Sequence, residues 1–419
     1  MANPSLQIGN SNWAIKEDNL LGYSTAGTRF VPQPITMTRE SAGTRVNPQG
    51  LIETVELLGS EEIDNGSFND GTDYWDEVGN SSLVVGDYQG RTNVANINIL
   101  GTANSDRIKQ DFDYVDGVTY LISLDVYLVS GNFKCDTSNS VVPYDFVATN
   151  ITGSWQTLTG YFTATSTGTN GLWLRSSQQI NQFYVSNISV KESTKNNLAR
   201  VDYDGTASSL LVEPERTNEV TYSSDFSNSY FQKVRSTIST DQIVSPDGTQ
   251  NADKFIEDSA LGTKLLWTQD EVISIGDVIT WSVFAKKGER EWVVLRDTNA
   301  GNFSGYFDLE NGVVGSTASL DSSKIEDLGS GWYRCSITYT STTTTARGRL
   351  YLADANNGES YQGNGTSGLY IWGAQLEEGS YPTSYIPTDG STVTRIQDQY
   401  SKTGISNLIN SEEGVLFVE

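Results

Sequence analysis

One order of segments occurs twice in this chain, and it narrows the fold more than any other feature. GVTYLISLDVYLVSG at 117–131 is matched by GDVITWSVFAKKG at 276–288, and GSWQTLTGYFTATS at 153–166 by GSGWYRCSITYTST at 329–342. NGLWLRSS and NQFYVSNISVKE (170–177 and 181–192) are matched by RGRLYLADANNG and GLYIWGAQLEEG (347–358 and 368–379). A turn-rich stretch opens each series, IDNGSFNDGTDYW at 63–75 and SSDFSNSYF at 223–231. A divergent repeat in fixed order predicts two copies of one unit. Inside the segments apolar residues fall at every second position. Val118, Tyr120, Ile122, Leu124, Val126 and Leu128 share one face, with Thr119, Ser123 and Asp125 opposite. Ile279, Trp281, Val283 and Ala285 do the same, as do Tyr333, Cys335, Ile337 and Tyr339. A period of two is the signature of strands. No segment reads as a long amphipathic helix.

Many short strands with regular turn signals predict an all-β chain of two tandem jelly-roll β-sandwich modules. The boundaries read from the sequence are an N-terminal attachment or oligomerisation arm at 1–57, a first module at 58–192, a connector at 193–217, a second module at 218–387 and a C-terminal extension at 388–419. The arm holds short runs broken by Gly and Pro, too few to build a core alone. The extension ends on the apolar run Val415 to Val418, which suggests a strand completed by further chain or by a neighbour.

The 419 residues include 27 Lys and Arg against 52 Asp and Glu, a net charge of -25. No basic stripe is visible, so nucleic acid is not an expected partner. The start, MANPSLQIGN, has neither a basic nor an apolar leader region, and no apolar run reaches the roughly 18 residues of a membrane span. Signal-directed secretion and membrane insertion are therefore not expected. Histidine is absent. That removes imidazole bases, Ser-His-Asp and Cys-His nucleophiles and His-ligated zinc together. Cys135 and Cys335 fall inside strand patterns of different modules and read as reduced core residues.

Sugar-binding proteins use aromatic rings, because the C–H face of a pyranose stacks on a ring and excludes water. Trp292 and Arg296 alternate to one side of a strand and could act as a stack and a clamp beside Tyr306. Trp173 and Arg175 alternate in the same way in the first module. Trp281 and Trp372 lie in apolar alternating strands and are expected in cores. Carboxylates are abundant, but no spacing marks the opposed pair that glycoside cleavage needs. The expectation is a non-enzyme.

Three stretches carry a resemblance. They are SLLVEPERTNEVTYSSDFSNSYFQK at 209–233, SPDGTQNADKF at 245–255 and GLYIWGAQLEEGSYPTSYIPTDGSTVTR at 368–395. Together they resemble a module found repeatedly in tailed-bacteriophage fibre and appendage proteins, itself similar to the carbohydrate-binding jelly rolls of glycan-active enzymes. ANPSL and SAGTRVNPQGLIETVE resemble the openings of such phage proteins, and the first module looks like the same sandwich class with weaker motifs. SEEGVLFVE resembles the first strand of a concanavalin-like lectin domain.

The resemblance implies a virion structural protein on the head or tail, assembled in the host cytoplasm and released by lysis. It also implies a homotrimer docked to other virion proteins and attached to host-surface polysaccharide. Related sandwiches often hold one structural calcium near the opening strand. Glu61 and Asp64 are the candidate ligands here, with Glu62, Asp70 and Asp73 close by. Ser186 and Asn187 stand where such modules often place an aspartate, which departs from that pattern. Two other readings remain: a capsid or tail decoration that binds no sugar, and the non-catalytic part of a glycan depolymerase spike.

Overall fold

The computed structural model describes residues 22–25, 29–32, 36–103, 105–137, 147–177, 180–205 and 207–401. These form two compact units. One is Glu56–Thr194, and the other joins the described residues up to Val55 to those from Lys195 onward. The secondary structure is strand and turn throughout, with no helix among the described residues. Accordingly, no described helix is long and apolar enough to cross a membrane.

Each unit contains a sandwich of two antiparallel sheets. In the first, the front sheet runs Val147–Thr149, Phe133–Asp136, Gly168–Arg175, Arg107–Tyr114, Asp76–Val78. The back sheet runs Trp155–Thr163, Thr119–Leu128, Asn181–Thr194, Arg91–Ile99, Ser81–Tyr88, and Leu57–Glu61 also pairs with Asn181–Thr194. The alternation of Thr119–Leu128 does what its period dictates. Tyr120, Ile122, Leu124, Val126 and Leu128 all enter the core between the sheets. The register shifts where Ser123–Asp125 faces Ser186–Ser189, so the extra residue belongs to the partner strand, and Asp125 stays on the outer face bonded to Asn187 at 2.8 Å.

In the second sandwich the front sheet runs Gln232–Val234, Leu261–Trp267, Arg349–Ala353, Trp292–Asp297, Phe303–Asp308, Val313–Ala318. Its back sheet runs Ser236–Ile243, Ala252–Glu257, Gly368–Glu378, Val278–Lys286, Trp332–Thr340, Ser322–Gly329. Trp281 is 0 % exposed in the core between them and donates its indole N–H to the Arg349 carbonyl at 3.1 Å. Burying a side chain of this size removes water from enough apolar surface to contribute about 2–3 kcal/mol. Trp372, 2 % exposed, packs with Phe284, Trp332 and Tyr385 on the other side of the back sheet. Cys135 and Cys335 are buried and free.

The division into arm, connector and extension changes in the structure. Ile52 packs with Phe284, Trp332, Trp372 and Tyr385 of the second sandwich. Thr36–Thr38 pairs with Gln399–Ser401, and Arg216–Asn218 with Val393–Arg395. The physical reason is a buried ion network drawn from all three segments. Arg39 reaches Asp398 at 2.7 Å, and Arg200 bonds both Asp398 and, at 2.9 Å, Glu213. Arg395 also bonds Glu213, which further accepts the Ser384 N–H and hydroxyl, each at 2.7 Å. Five charged side chains are out of water here, and each is stable only while its partners stay in place. The described parts of the three segments therefore belong to the second unit.

Candidate functional site

Both front sheets hold the core with one face and turn the other outward. On Trp292–Asp297 the residues Val293 and Leu295 point into the core, so Trp292, Val294 and Arg296 point out. Cross-strand register then assembles the outer face in rows. One row is Trp267, Arg349, Arg296, Ser304; the next is Leu265, Tyr351, Val294, Tyr306; the third is Ala353, Trp292, Asp308. Val294, Tyr306, Tyr351, Leu265 and Ala353 make an apolar floor, with Trp267 and Trp292 half-buried at its margins. Trp292 is held by Gly315, where a Cβ would come within 2.6 Å of the indole Cζ3.

Trp292 and Arg296 thus share the face, as the alternation implied, but the surroundings of Tyr306 differ from the expected open pair. Tyr306 is only 4 % exposed. Its hydroxyl donates to Glu359 and accepts from Arg296 at 3.3 Å, and Arg296 meets Glu359 at 3.1 Å. Burial and the Glu359 carboxylate push the Tyr306 phenol up to about 12, so it stays a neutral donor. Glu359, carried by the loop after Arg349–Ala353, closes over the clamp. Arg349 lies 5.8 Å over the Trp267 ring, bonds Asn299 at 3.0 Å, and has no carboxylate partner among the described residues.

The first sandwich builds a different face on the same sheet. Trp173 and Arg175 point out, while Leu172 and Leu174 point into the core. Arg175 is 9 % exposed and grips Asp136 through Nε at 2.9 Å and Nη2 at 2.5 Å. Arg107, directly opposite Arg175, lies 4.0 Å over one side of the Trp173 ring. Lys109 and Asp111, paired at 2.8 Å, continue the face. One ring among several charges replaces the ring-rich floor of the second sandwich.

The back sheet of the first sandwich also bears rings on its outer side, half-buried like Trp173. Tyr88 stacks on Tyr184 at 3.5 Å, and Arg91 lies 4.1 Å over Trp155 while bonded to Asp125 at 2.5 Å.

Of the two residues expected to hold calcium, one is engaged through its carboxylate and the other only through its main chain. Glu61 spends one oxygen on the Val190 N–H at 2.6 Å and the other on the Ser189 hydroxyl at 2.7 Å. Asp64 is anchored through its main chain to the Gln110 amide and stands exposed. No three acidic or thiol groups among the described residues are placed to share a metal.

Gly171 offers a direct test of the Trp173 face. A Cβ there would stand 2.6 Å from the Trp173 Nε1 and 3.0 Å from an Asp111 oxygen. Gly171→Ala is expected to push the indole from its place while leaving the core intact. If the face takes a sugar, as the alternation of Trp173 and Arg175 leads one to expect, affinity for it should fall about tenfold, with thermal stability changed by no more than about 1 kcal/mol. Titration and melting on one preparation separate the two.

Residues 60–176 match the family described as "Carbohydrate binding domain", and the match contains Trp173, Arg175 and Arg107. Among solved structures the chain is similar to the N-terminal CBM22-1–CBM22-2 tandem domain of Xyn10C from Paenibacillus barcinonensis. The identity is 12 %, over 78 % of this chain and 98 % of that one, with a TM-score of 0.28. A second similar structure is described as "CBM4 structure and function", at 21 % identity over 31 % of this chain and 99 % of that one, with a TM-score of 0.24. No curated protein matches the chain.

Proposed function

We propose that this chain is a bacteriophage virion appendage, on head or tail, that adheres to host-surface polysaccharide through the front sheets of its two sandwiches. The observation that carries the adhesive part is the outward face of each front sheet, which joins half-buried tryptophan to arginine within strand register. Rings exclude water from a sugar's C–H face, and guanidinium groups donate to its oxygens. The family match over 60–176 supports the same reading for the first sandwich. The virion part is supported by the resemblance carried by 209–233, 245–255 and 368–395.

In this reading the chain catalyses nothing and works by repetition. A homotrimer carries three copies of each face, and linked weak sites hold a repeating polymer far more tightly than one site does. Thr36 and Ser401 are cross-strand partners, so the described parts of the N-terminal arm and the C-terminal extension meet in one strand pair of the second unit. That arrangement suits a domain hung from a single attachment to other virion proteins.

The test has two arms. Purified chain should be retarded in gels containing host surface polysaccharide and should scatter light as three 45.8 kDa chains. Antibody raised against it should label particles from lysed cultures. Free migration in every polysaccharide would sink the adhesive reading, and particles without label would sink the virion one.

A further inference from the structure

We propose that the front face of the first sandwich takes a polyuronate, a glycan carrying carboxylates, and that Arg107 meets the carboxylate. This rests on the reading of that sheet as a glycan face and adds the class of glycan.

The first observation is a row of like charges. Lys134 pairs with Arg175, and Arg175 with Arg107, so three cationic residues stand side by side across three strands. Strands lie about 4.8 Å apart, and like charges directly opposite one another destabilise a sheet. A chain with 52 acidic and 27 basic residues has acids enough to avoid such a row.

The second observation is how differently the row is satisfied. Arg175 has its carboxylate in Asp136. Arg107 has none. Its one hydrogen bond runs from Nη1 to the Ser105 carbonyl at 3.2 Å, and its Nε is shut from water with no acceptor. Burial and then the Arg175 charge pull its pKa below the usual arginine value, and the nearby Asp136 and Asp111 charges offset only part of this. Nη2 has no partner among the described residues. The stack on Trp173 therefore fixes the guanidinium with a free N–H edge beside a second guanidinium. A carboxylate at that edge would neutralise the row and take charge-assisted bonds, the geometry for which arginine is best suited.

The second sandwich repeats part of this arrangement on a more apolar floor. There Arg349 lies opposite Arg296 and over Trp267, but it is held by the neutral Asn299, and Arg296 is closed on Glu359. The net charge of -25 opposes a dense polyanion at long range. It matters less at contact, because charges are screened beyond about 8 Å at physiological salt.

The experiment uses the whole chain. Polygalacturonate, alginate and hyaluronate are each compared with their carboxyl-reduced forms, and dextran sulfate serves as a dense polyanion. At least one polyuronate should bind about tenfold more tightly than its reduced form, and Arg107→Gln should remove that difference. Arg107→Lys, which keeps the charge but not the fork, should fall between them. Equal binding of the two forms, an unchanged Arg107→Gln, or equal binding of dextran sulfate would overturn the proposal. Should only the reduced forms bind, with Trp173→Ala losing them, the glycan face stands and the carboxylate falls. Binding of none of the six overturns this proposal, and the glycan reading then rests on the host-polysaccharide gels alone.

Discussion

Glu213→Gln is expected to cost the second unit about 3–5 kcal/mol, the usual result of removing one partner from a buried ion group. The substitution keeps the size of the side chain, but with its amide oxygen on the Ser384 N–H its nitrogen faces the Arg200 and Arg395 donors and cannot accept from them, so those two bonds go with the charge. Arg200 and Arg395 then share a dry site without a carboxylate between them. For a unit of this size the melting temperature should drop by roughly 10 °C. Glu310→Gln is the control. Glu310 pairs with Lys287 at the surface, where such pairs contribute about 1 kcal/mol at most. The effect should also depend on pH. Burial pushes the Glu213 carboxyl up, but the Arg395 and Arg200 charges and the Ser384 bonds outweigh it and hold it below the usual carboxylate range. A carboxylate with a depressed pKa contributes stability that is full above its unfolded value of about 4.3 and is lost as pH falls through the folded value. Parent and variant should therefore differ fully at neutral pH and converge in acid. Hydrogen exchange should quicken at Thr36–Thr38 and Gln399–Ser401, since both segments hang on this network. Equal melting of parent and variant at pH 7 would show that the network holds nothing together.

That network was invisible in the sequence for a physical reason. Arg39 and Asp398 are 359 residues apart, and a lone charge carries no periodicity that points to its partner. Residues 1–57 read as an attachment or oligomerisation arm because they cannot build a core alone, but residues 36–55 add to one, with Ile52 supplying the apolar contact. The sandwiches were legible because strand period and sheet face are the same fact. Val118 to Leu128 and Ile279 to Ala285 could bury one side only by forming strands. The faces were half legible. Trp292 with Arg296, and Trp173 with Arg175, follow from alternation. RLYLA alternates too, and puts Arg349, Tyr351 and Ala353 on one face, yet both its faces are apolar and nothing local says which is outward. Trp267 and Glu359 escaped notice because one closes a strand and the other sits in an aperiodic loop. Glu359 is also why Tyr306 is covered instead of open. Arg107 was missed for another reason: its meaning lies in the residue across the strand, Arg175, and register is a property of the fold.

Trp292→Ala is expected to weaken binding at the second face by about 2 kcal/mol or more, roughly thirtyfold. The estimate follows from where the indole sits. It borders an apolar floor of Val294, Tyr306 and Tyr351 and is wedged by Gly315, so its orientation is fixed before a ligand arrives. A ring held in place loses little freedom on binding, which is why aromatic anchors dominate such contacts. Truncation also opens the floor to water, and the neighbouring Arg296 cannot compensate while it is closed on Glu359. The fold should survive, because Trp292 is only half-buried and the core below it belongs to Val293 and Leu295. Trp281→Ala gives the contrast, since a fully buried tryptophan costs about 3–5 kcal/mol on truncation. It should unfold the unit at moderate temperature. Calorimetric titration of the folded Trp292→Ala chain with a polysaccharide that the parent binds through this sandwich decides the matter. A thirtyfold loss at unchanged melting temperature makes Trp292 the anchor of the face. Parent-like affinity would mean that sugar passes Trp292 by, and the row of Trp267, Arg349 and Arg296 would become the surface to test.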